Sequence, residues 1–184
     1  MSWIARLFLR AKSWEIALLL LGIMLASMVA MVDSIQATPV GSFGKDSLPF
    51  VGLTLSFMFV SIGWFGAAGS FLNSIVQPGL RPGSRLFRFS LVYPLLYTAA
   101  FLIVFPPSPT MLLVIFPLHL VAIFCVFYLP IFVSKNLALV EMGKDVTFYD
   151  YAGPFFLLWF LPIGLWIVQP RINKLYAETT FSAA

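Results

Sequence analysis

Long stretches without charge constrain this chain more than any other feature. From Phe89 to Ser134 the sequence contains no Asp, Glu, Lys or Arg, and charged residues make up 10% of all 184 residues. A soluble domain carries about 25%. A chain this poor in charge cannot cover a water-facing surface, so the sequence predicts a protein for which the lipid bilayer is much of the solvent.

Four apolar stretches are each long enough to cross a membrane. As helices they extend about 25 Å or more, close to the roughly 30 Å of a hydrocarbon core. A proline-rich turn at 106–109 divides the third stretch from the fourth. We therefore expect an all-α polytopic membrane protein that forms a single domain over residues 1–184. The predicted spans are about 14–33, 48–72, 89–105 and 111–134.

Residues 2–13, "SWIARLFLRAKS", differ from the spans in composition. Phe8 and Ala11 fall on one helical face, and Arg6 and Arg10 fall on another. This pattern is typical of a helix that lies in the membrane surface. The apolar run that follows is longer than the core of a signal peptide, so we expect a retained first span.

The basic residues predict the orientation of the chain. Loop 73–88 carries Arg81, Arg85 and Arg88, whereas loop 33–47 has a single basic residue, Lys45. Lys and Arg concentrate in cytoplasmic loops, so the N-terminus is expected to be cytoplasmic. The three arginines also suit contacts with anionic lipid headgroups.

A fifth hydrophobic segment, residues 151–169, leaves two architectures open. It would be about 27 Å long as a straight helix, which is enough for a span. However, Pro162 and Gly164 lie at its midpoint, where a re-entrant segment would turn. A re-entrant segment also leaves Arg171 and Lys174 on the cytoplasmic side, in agreement with the charge bias. We favour the re-entrant form, which predicts a cytoplasmic C-terminus.

Small residues form a stripe in the second span. Gly63, Gly66, Ala67 and Ser70 recur at helical spacing, and Asn73 continues the stripe. Small residues allow another helix backbone to approach closely, which is how membrane helices associate. The sequence predicts a helix-packing face here, whose partner is a helix of the same chain or of a second subunit.

His119 and Cys125 are the one histidine and the one cysteine of the chain. With no second His or Cys, and no acid inside an apolar run, the sequence lacks a ligand set for haem, zinc or an iron–sulfur cluster. We expect no cofactor, no metal site and no catalytic set. His119 is expected to bond a carbonyl or a tyrosine hydroxyl, and the alternative is a functional polar group inside a span.

The C-terminal part of the chain resembles a family of small uncharacterised bacterial multi-pass membrane proteins. The resemblance is carried by "FPLHLVAIFCVFY", "DVTFYDYAGPFFLLWF" and "FLPIGLWIVQPRIN", the last of which follows the pattern F-x-P-I-G-x-W-x-x-Q-P-[RK]-I-N. It covers roughly the last 70 residues. The family pattern has an acidic residue where this chain has Pro154, so no role of that acid transfers. The resemblance implies a bacterial inner membrane and a C-terminal segment of functional weight.

Three functions are compatible with these features. The favoured one is a non-enzymatic membrane subunit, that is, a scaffold, sensor or accessory chain acting through helix contacts. The alternative is a homo-oligomeric channel or passive carrier lined by the hydroxyls of Thr54, Ser56 and Ser61. An intramembrane enzyme acting on lipid or quinone is the weakest. The expected partners are the lipid bilayer and either a second copy of the chain or another membrane protein, and no nucleic acid.

Overall fold

A computed structural model describes residues 3–37, 47–104 and 109–181. Within these ranges the chain forms seven α-helices and no β-strand, which confirms the all-helical class. The helices are α1 Trp3–Arg10, α2 Ser13–Ala37, α3 Leu48–Ile75, α4 Arg85–Val104, α5 Pro109–Met142, α6 Phe148–Trp159 and α7 Leu161–Phe181.

Three of the described helices are long and apolar enough to cross a membrane. The qualifying segments are Ser13–Gln36, Leu48–Ile75 and Met111–Met142. They coincide with the predicted spans 14–33, 48–72 and 111–134, and α4 coincides with the remaining one, 89–105. Pro106 and Pro107, in the predicted turn before α5, lie outside the described residues.

Helices α2 to α5 all extend beyond the predicted spans, and α2 and α3 continue to Ala37 and Ile75. Helix α5 continues past Lys135 to Met142, because Leu137 and Ala138 are buried and no helix breaker occurs before Gly143. Gly143 ends the helix with a φ of 64°, the left-handed conformation that glycine adopts readily. In the same way, the predicted loop 73–88 ends earlier than expected, so Arg85 and Arg88 belong to the first turn of α4.

The predicted surface helix is shorter than expected. Helix α1 ends at Arg10, and Ser13 already belongs to α2. Leu9 is buried, and the ring of Phe8 lies against Gly63 of α3. Helix α1 therefore packs on the helical bundle through part of its surface, while Arg10 on its other side is exposed.

The hydrophobic core occupies one half of the bundle. In α3 the buried residues begin at Ser61 and run to Leu72. In α5 they begin at Ala122, and the core residues of α2 lie in its first turns, up to Leu20. This half is the one that α1 covers, and we call it the α1 half of the bundle.

Helices α6 and α7 fill the α1 half as a hairpin. Helix α6 runs back along α5, so that Trp159 stacks on Phe127 with ring centroids 3.9 Å apart. Helix α7 then returns, and Arg171 bonds Glu141 near the end of α5. The chain therefore reverses direction between α6 and α7, at Phe160.

The geometry of the reversal explains Pro162 and Gly164. The carbonyl of Phe160 accepts hydrogen bonds from the backbone N–H groups of Ile163 and Gly164, both at 2.9 Å. Pro162 is the second residue of α7, where a missing N–H costs nothing. A Cβ at Gly164 would collide with the carbonyl of Leu157, so the two helix backbones touch at this glycine.

Candidate functional site

A buried side-chain amide joins three helices in the α1 half. Gln169 of α7 is 0% exposed, and its Oε1 accepts a hydrogen bond of 2.6 Å from Nε1 of Trp64 on α3. Its Nε2 donates to the carbonyl of Phe8 on α1 and to Oδ1 of Asn173, each at 2.8 Å. Asn173 in turn donates to the carbonyl of Ala11 at 3.1 Å. We call these five residues the polar junction.

The polar junction satisfies groups that would otherwise be costly. The last carbonyls of a helix have no partner inside the helix, and Phe8 lies in the last turn of α1. Gln169 and Asn173 supply the missing donors from α7. Trp64 is 1% exposed, and a buried indole N–H also needs an acceptor, which Gln169 provides. The amides therefore hold α1 against α3 and α7.

Three further hydrogen bonds lie in the same half of the bundle. Asn136, which is fully buried on α5, donates to the carbonyl of Phe132 at 2.7 Å. Its Oδ1 accepts from Nδ2 of Asn73 at 3.1 Å, and Asn73 also bonds the carbonyl of Pro82. Asn73, the predicted end of the small-residue stripe, thus connects α3 by hydrogen bonds to α5 and to the segment before α4.

Arg171 and Glu141 form a paired contact between α7 and α5. Nε of Arg171 donates to Oε1 of Glu141 at 2.8 Å, and the second guanidinium nitrogen bonds Oε2. The side chains are 38% and 32% exposed. Water screens a pair of this exposure, so its contribution is about 0.2–1 kcal/mol and it serves more to fix the position of α7.

Asp150, in the first turn of α6, forms hydrogen bonds with the residue before the helix. The Asp150 carboxylate accepts from the backbone N–H and the hydroxyl of Thr147, at 2.6 and 2.8 Å. The backbone hydrogen bond from Thr147, followed by the one from its hydroxyl, holds the pKa of Asp150 below its ordinary value. Asp150 and Thr147 thus form a capping box at the start of α6.

Two glycines of the small-residue stripe lie against other helices of the same chain. Gly63 faces Phe8 of α1, and Gly66 faces Leu91 of α4. Ala67 is buried, whereas Ser70 is exposed. The closest approach occurs at a glycine outside the predicted stripe.

That glycine is Gly69 of α3. A Cβ there would overlap the ring of Phe87 on α4, which is 2% exposed and stacks on Phe132 of α5. Sequence spacing does not predict this contact, because the tight point depends on which side chain of α4 meets α3.

His119 lies on the outer surface between α4 and α5. It is exposed, and its Nδ1 is 3.0 Å from the hydroxyl of Tyr97. The neighbouring Tyr93 donates to the carbonyl of Leu118 at 3.0 Å. A tyrosine hydroxyl was one of the two expected partners of His119. Cys125, six positions later, is fully buried.

The three predicted headgroup-binding arginines are exposed. Arg81 donates to the carbonyls of Ser74 and Val76 at 2.8 and 3.2 Å, so it caps the end of α3. Arg85 and Arg88 lie in the first turn of α4, where the helix dipole disfavours positive charge. Helix stability therefore does not explain their position, and headgroup contact stays a prediction.

A cavity of about 450 Å³ lies at the tip of the hairpin. It is bounded by α2, α3 and α5 and by residues 158–163. Ser61 of α3 lines it, and among the described residues around it Ser61 is the one that carries a hydroxyl. Thr54 and Ser56, the other hydroxyls considered for a pore, do not line this cavity and are exposed.

The sequence analysis missed most of the polar junction. Gln169 and Asn173 are four positions apart and so share a helical face, which was a usable signal. The roles of Trp64 and Asn136 carried no local signal. In the part of the chain that the structure describes, no three His, Cys, Asp or Glu side chains cluster as metal ligands.

Comparison with models of protein families, with curated proteins and with solved structures finds no match for this chain.

Proposed function

We propose that this chain is a non-enzymatic integral membrane subunit, a scaffold, sensor or accessory chain that acts through helix contacts. The observation that carries the proposal is the buried amide of Gln169. Its donors and acceptor are used to join α1, α3 and α7. The amides of the C-terminal pattern thus serve architecture, and Asn73 and Asn136 do the same between α3 and α5.

In the proposed topology, α2 to α5 span a bacterial inner membrane and α6–α7 is a re-entrant hairpin. Helix α4 has 20 residues, about 30 Å, which matches a hydrocarbon core. The hairpin is supported by the pair of Arg171 with Glu141, which returns α7 to the level at which α5 ends.

The distribution of charge supports the same topology. The chain has 11 Lys and Arg residues. With the N-terminus cytoplasmic and the hairpin re-entrant, all of them except Lys45 lie on the cytoplasmic side. A spanning α6–α7 would instead move Arg171 and Lys174 to the other side.

Mass measurement of the protein from its own membrane in mild detergent tests the proposed function. We expect the 20.5 kDa chain to be purified with a second, different membrane protein in fixed stoichiometry. A closed ring of identical chains would instead support the channel. A chain that is monomeric at every dilution would contradict the proposal.

A further inference from the structure

The cavity at the hairpin tip contains a polar group that the protein does not use. Ser61 is 8% exposed, and within the described part of the chain its Oγ has no hydrogen-bond partner. Ser90 and Ser134 share this state within the described residues but do not line the cavity. Serines inside helices can instead bond a carbonyl one turn earlier. Ser27 and Ser56 do so, at 2.7 and 2.8 Å from the carbonyls of Ile23 and Gly52.

An unpaired hydroxyl in the middle of a long apolar helix indicates a hydrogen-bond partner from outside the chain. Ser61 lies in the middle of α3, about 20 Å from either end. A buried hydroxyl without a partner is costly. A water molecule is a poor solution, because it needs two to four polar partners, and among the described side chains that line the cavity Ser61 and Trp159 are the two that carry a polar atom.

The wall of the cavity suits a flat ring. Phe57 and Phe65 of α3 and Trp159 of the hairpin contribute aromatic side chains. An apolar cavity of this size with one well-placed polar group is the usual form of a small-molecule site. A groove of about 160 Å³ continues between Leu18 of α2 and Trp166 of α7, and it shares Leu21 with the cavity, so a tail has a path along the bundle.

We propose that this cavity binds the ring of an isoprenoid quinone. A ring carbonyl accepts a hydrogen bond from Ser61 Oγ, and the prenyl tail lies in the groove beside α2. The ester carbonyls of a glycerolipid are anchored at headgroup depth, so they do not reach the middle of α3. The inference concerns binding and includes no redox step.

The test uses the purified full chain in detergent and a benzoquinone with a decyl tail. Quinone binding is followed by quenching of tryptophan fluorescence, to which Trp159 contributes from the cavity wall. Ser61→Ala should weaken binding about two- to tenfold, the loss of one neutral hydrogen bond. Leu21→Trp, which fills the cavity, should abolish saturable binding.

Ser56→Ala is the matched control. It removes a hydroxyl from the same helix, but one that already bonds its own backbone, so binding should not change. Equal weakening by Ser56→Ala, or unchanged binding in Ser61→Ala, would overturn the proposal. Displacement of the quinone by an equal concentration of a diacyl phospholipid would also overturn it and assign the cavity to a lipid ester.

If Leu21→Trp does not fold, thermal unfolding of Ser61→Ala without quinone supplies a second test of the proposal. Ser61→Ala should keep or raise the midpoint of unfolding, because it removes an unpaired buried hydroxyl. A clear fall in the midpoint would show that Ser61 has a partner in the protein, and the proposal would then fail.

Discussion

Gln169 places a primary amide where water does not reach, and its hydrogen bonds connect positions more than a hundred residues apart. Replacing it with an apolar residue of similar size would leave Nε1 of Trp64 and the carbonyl of Phe8 buried without partners. The cost of unpaired buried groups exceeds the net gain of making the bonds. The residue should therefore matter more for stability than a count of hydrogen bonds suggests.

The first prediction concerns this amide. Gln169→Leu should lower the free energy of unfolding by about 1–3 kcal/mol, measured by thermal unfolding in detergent. Gln77→Leu, at an exposed glutamine beyond the end of α3, is the control and should have little effect. In the double variant Trp64→Phe/Gln169→Leu, the loss should be smaller than the sum of the two single losses, because one hydrogen bond is counted twice. Strict additivity would mean that the two side chains do not interact.

The second prediction separates two glycines of the same helix. Gly69→Ala should cost about 1–3 kcal/mol, because the added methyl overlaps the ring of Phe87, which is held by its stack on Phe132. At Gly66 a Cβ would lie 3.5 Å from Leu91, an ordinary contact, and alanine favours the helix by about 1 kcal/mol. Gly66→Ala should therefore be neutral or stabilising in the same unfolding assay. Equal stability of the two variants would show that α3 and α4 do not meet at Gly69.

Among the elements, the hairpin shows how far local sequence signals reach. Pro162 and Gly164 predict a turn within 151–169, because proline suits the first turn of a new helix and glycine permits close approach. The reversal itself is at Phe160, which has no special turn chemistry. Its position depends on where α6 meets α5 and α7, and this is information that local sequence does not carry.

The third prediction tests the contact that closes the hairpin. Gly164→Ala should be strongly destabilising, because its Cβ has no room beside the carbonyl of Leu157 and backbone atoms cannot rotate away. Gly153→Ala is the matched control in the same hairpin, since a Cβ there meets nothing within 4 Å. Thermal unfolding in detergent should show a large loss for the first and none for the second. A straight α6–α7 helix would instead gain stability from both substitutions.

Helix boundaries were less predictable than helix existence. The long apolar stretches predict α2, α3, α4 and α5, because a run of about twenty apolar residues has few stable structures other than a helix. The predicted span ends at 134, whereas α5 continues eight residues further to Met142, because Leu137 and Ala138 are core residues. The partners of Trp64 and Asn136 were missed for another reason: periodicity defines which face of a helix is buried but not which helix covers it.

For the whole molecule, the uneven core and the hairpin are two aspects of one arrangement. Four long helices extend through both halves of the bundle, while α1, α6 and much of α7 add to one half. The added helices bring the polar junction and the pair of Arg171 with Glu141 to that half. In a membrane, polar contacts and basic residues concentrated at one end favour placing that end at the cytoplasmic surface.

The last prediction tests this orientation with single cysteines in a Cys125→Ala background. Cys125 is the one cysteine of the chain, so its removal leaves the introduced cysteine as the labelling site. Ala177→Cys, exposed on α7, should resist an impermeant maleimide in intact spheroplasts and react after lysis. Gln36→Cys, exposed near the end of α2, should react in intact spheroplasts, because α2 ends on the other side.

A third position makes the result unambiguous. Gly79→Cys lies between α3 and α4, on the same side as Ala177 in the re-entrant topology, and it should follow the pattern of Ala177→Cys. If α6–α7 crossed the membrane, Ala177→Cys would instead label together with Gln36→Cys while Gly79→Cys stayed protected. The re-entrant topology would then be wrong, and the contact between Arg171 and Glu141 would be wrong with it, since those side chains would lie on opposite sides of the bilayer.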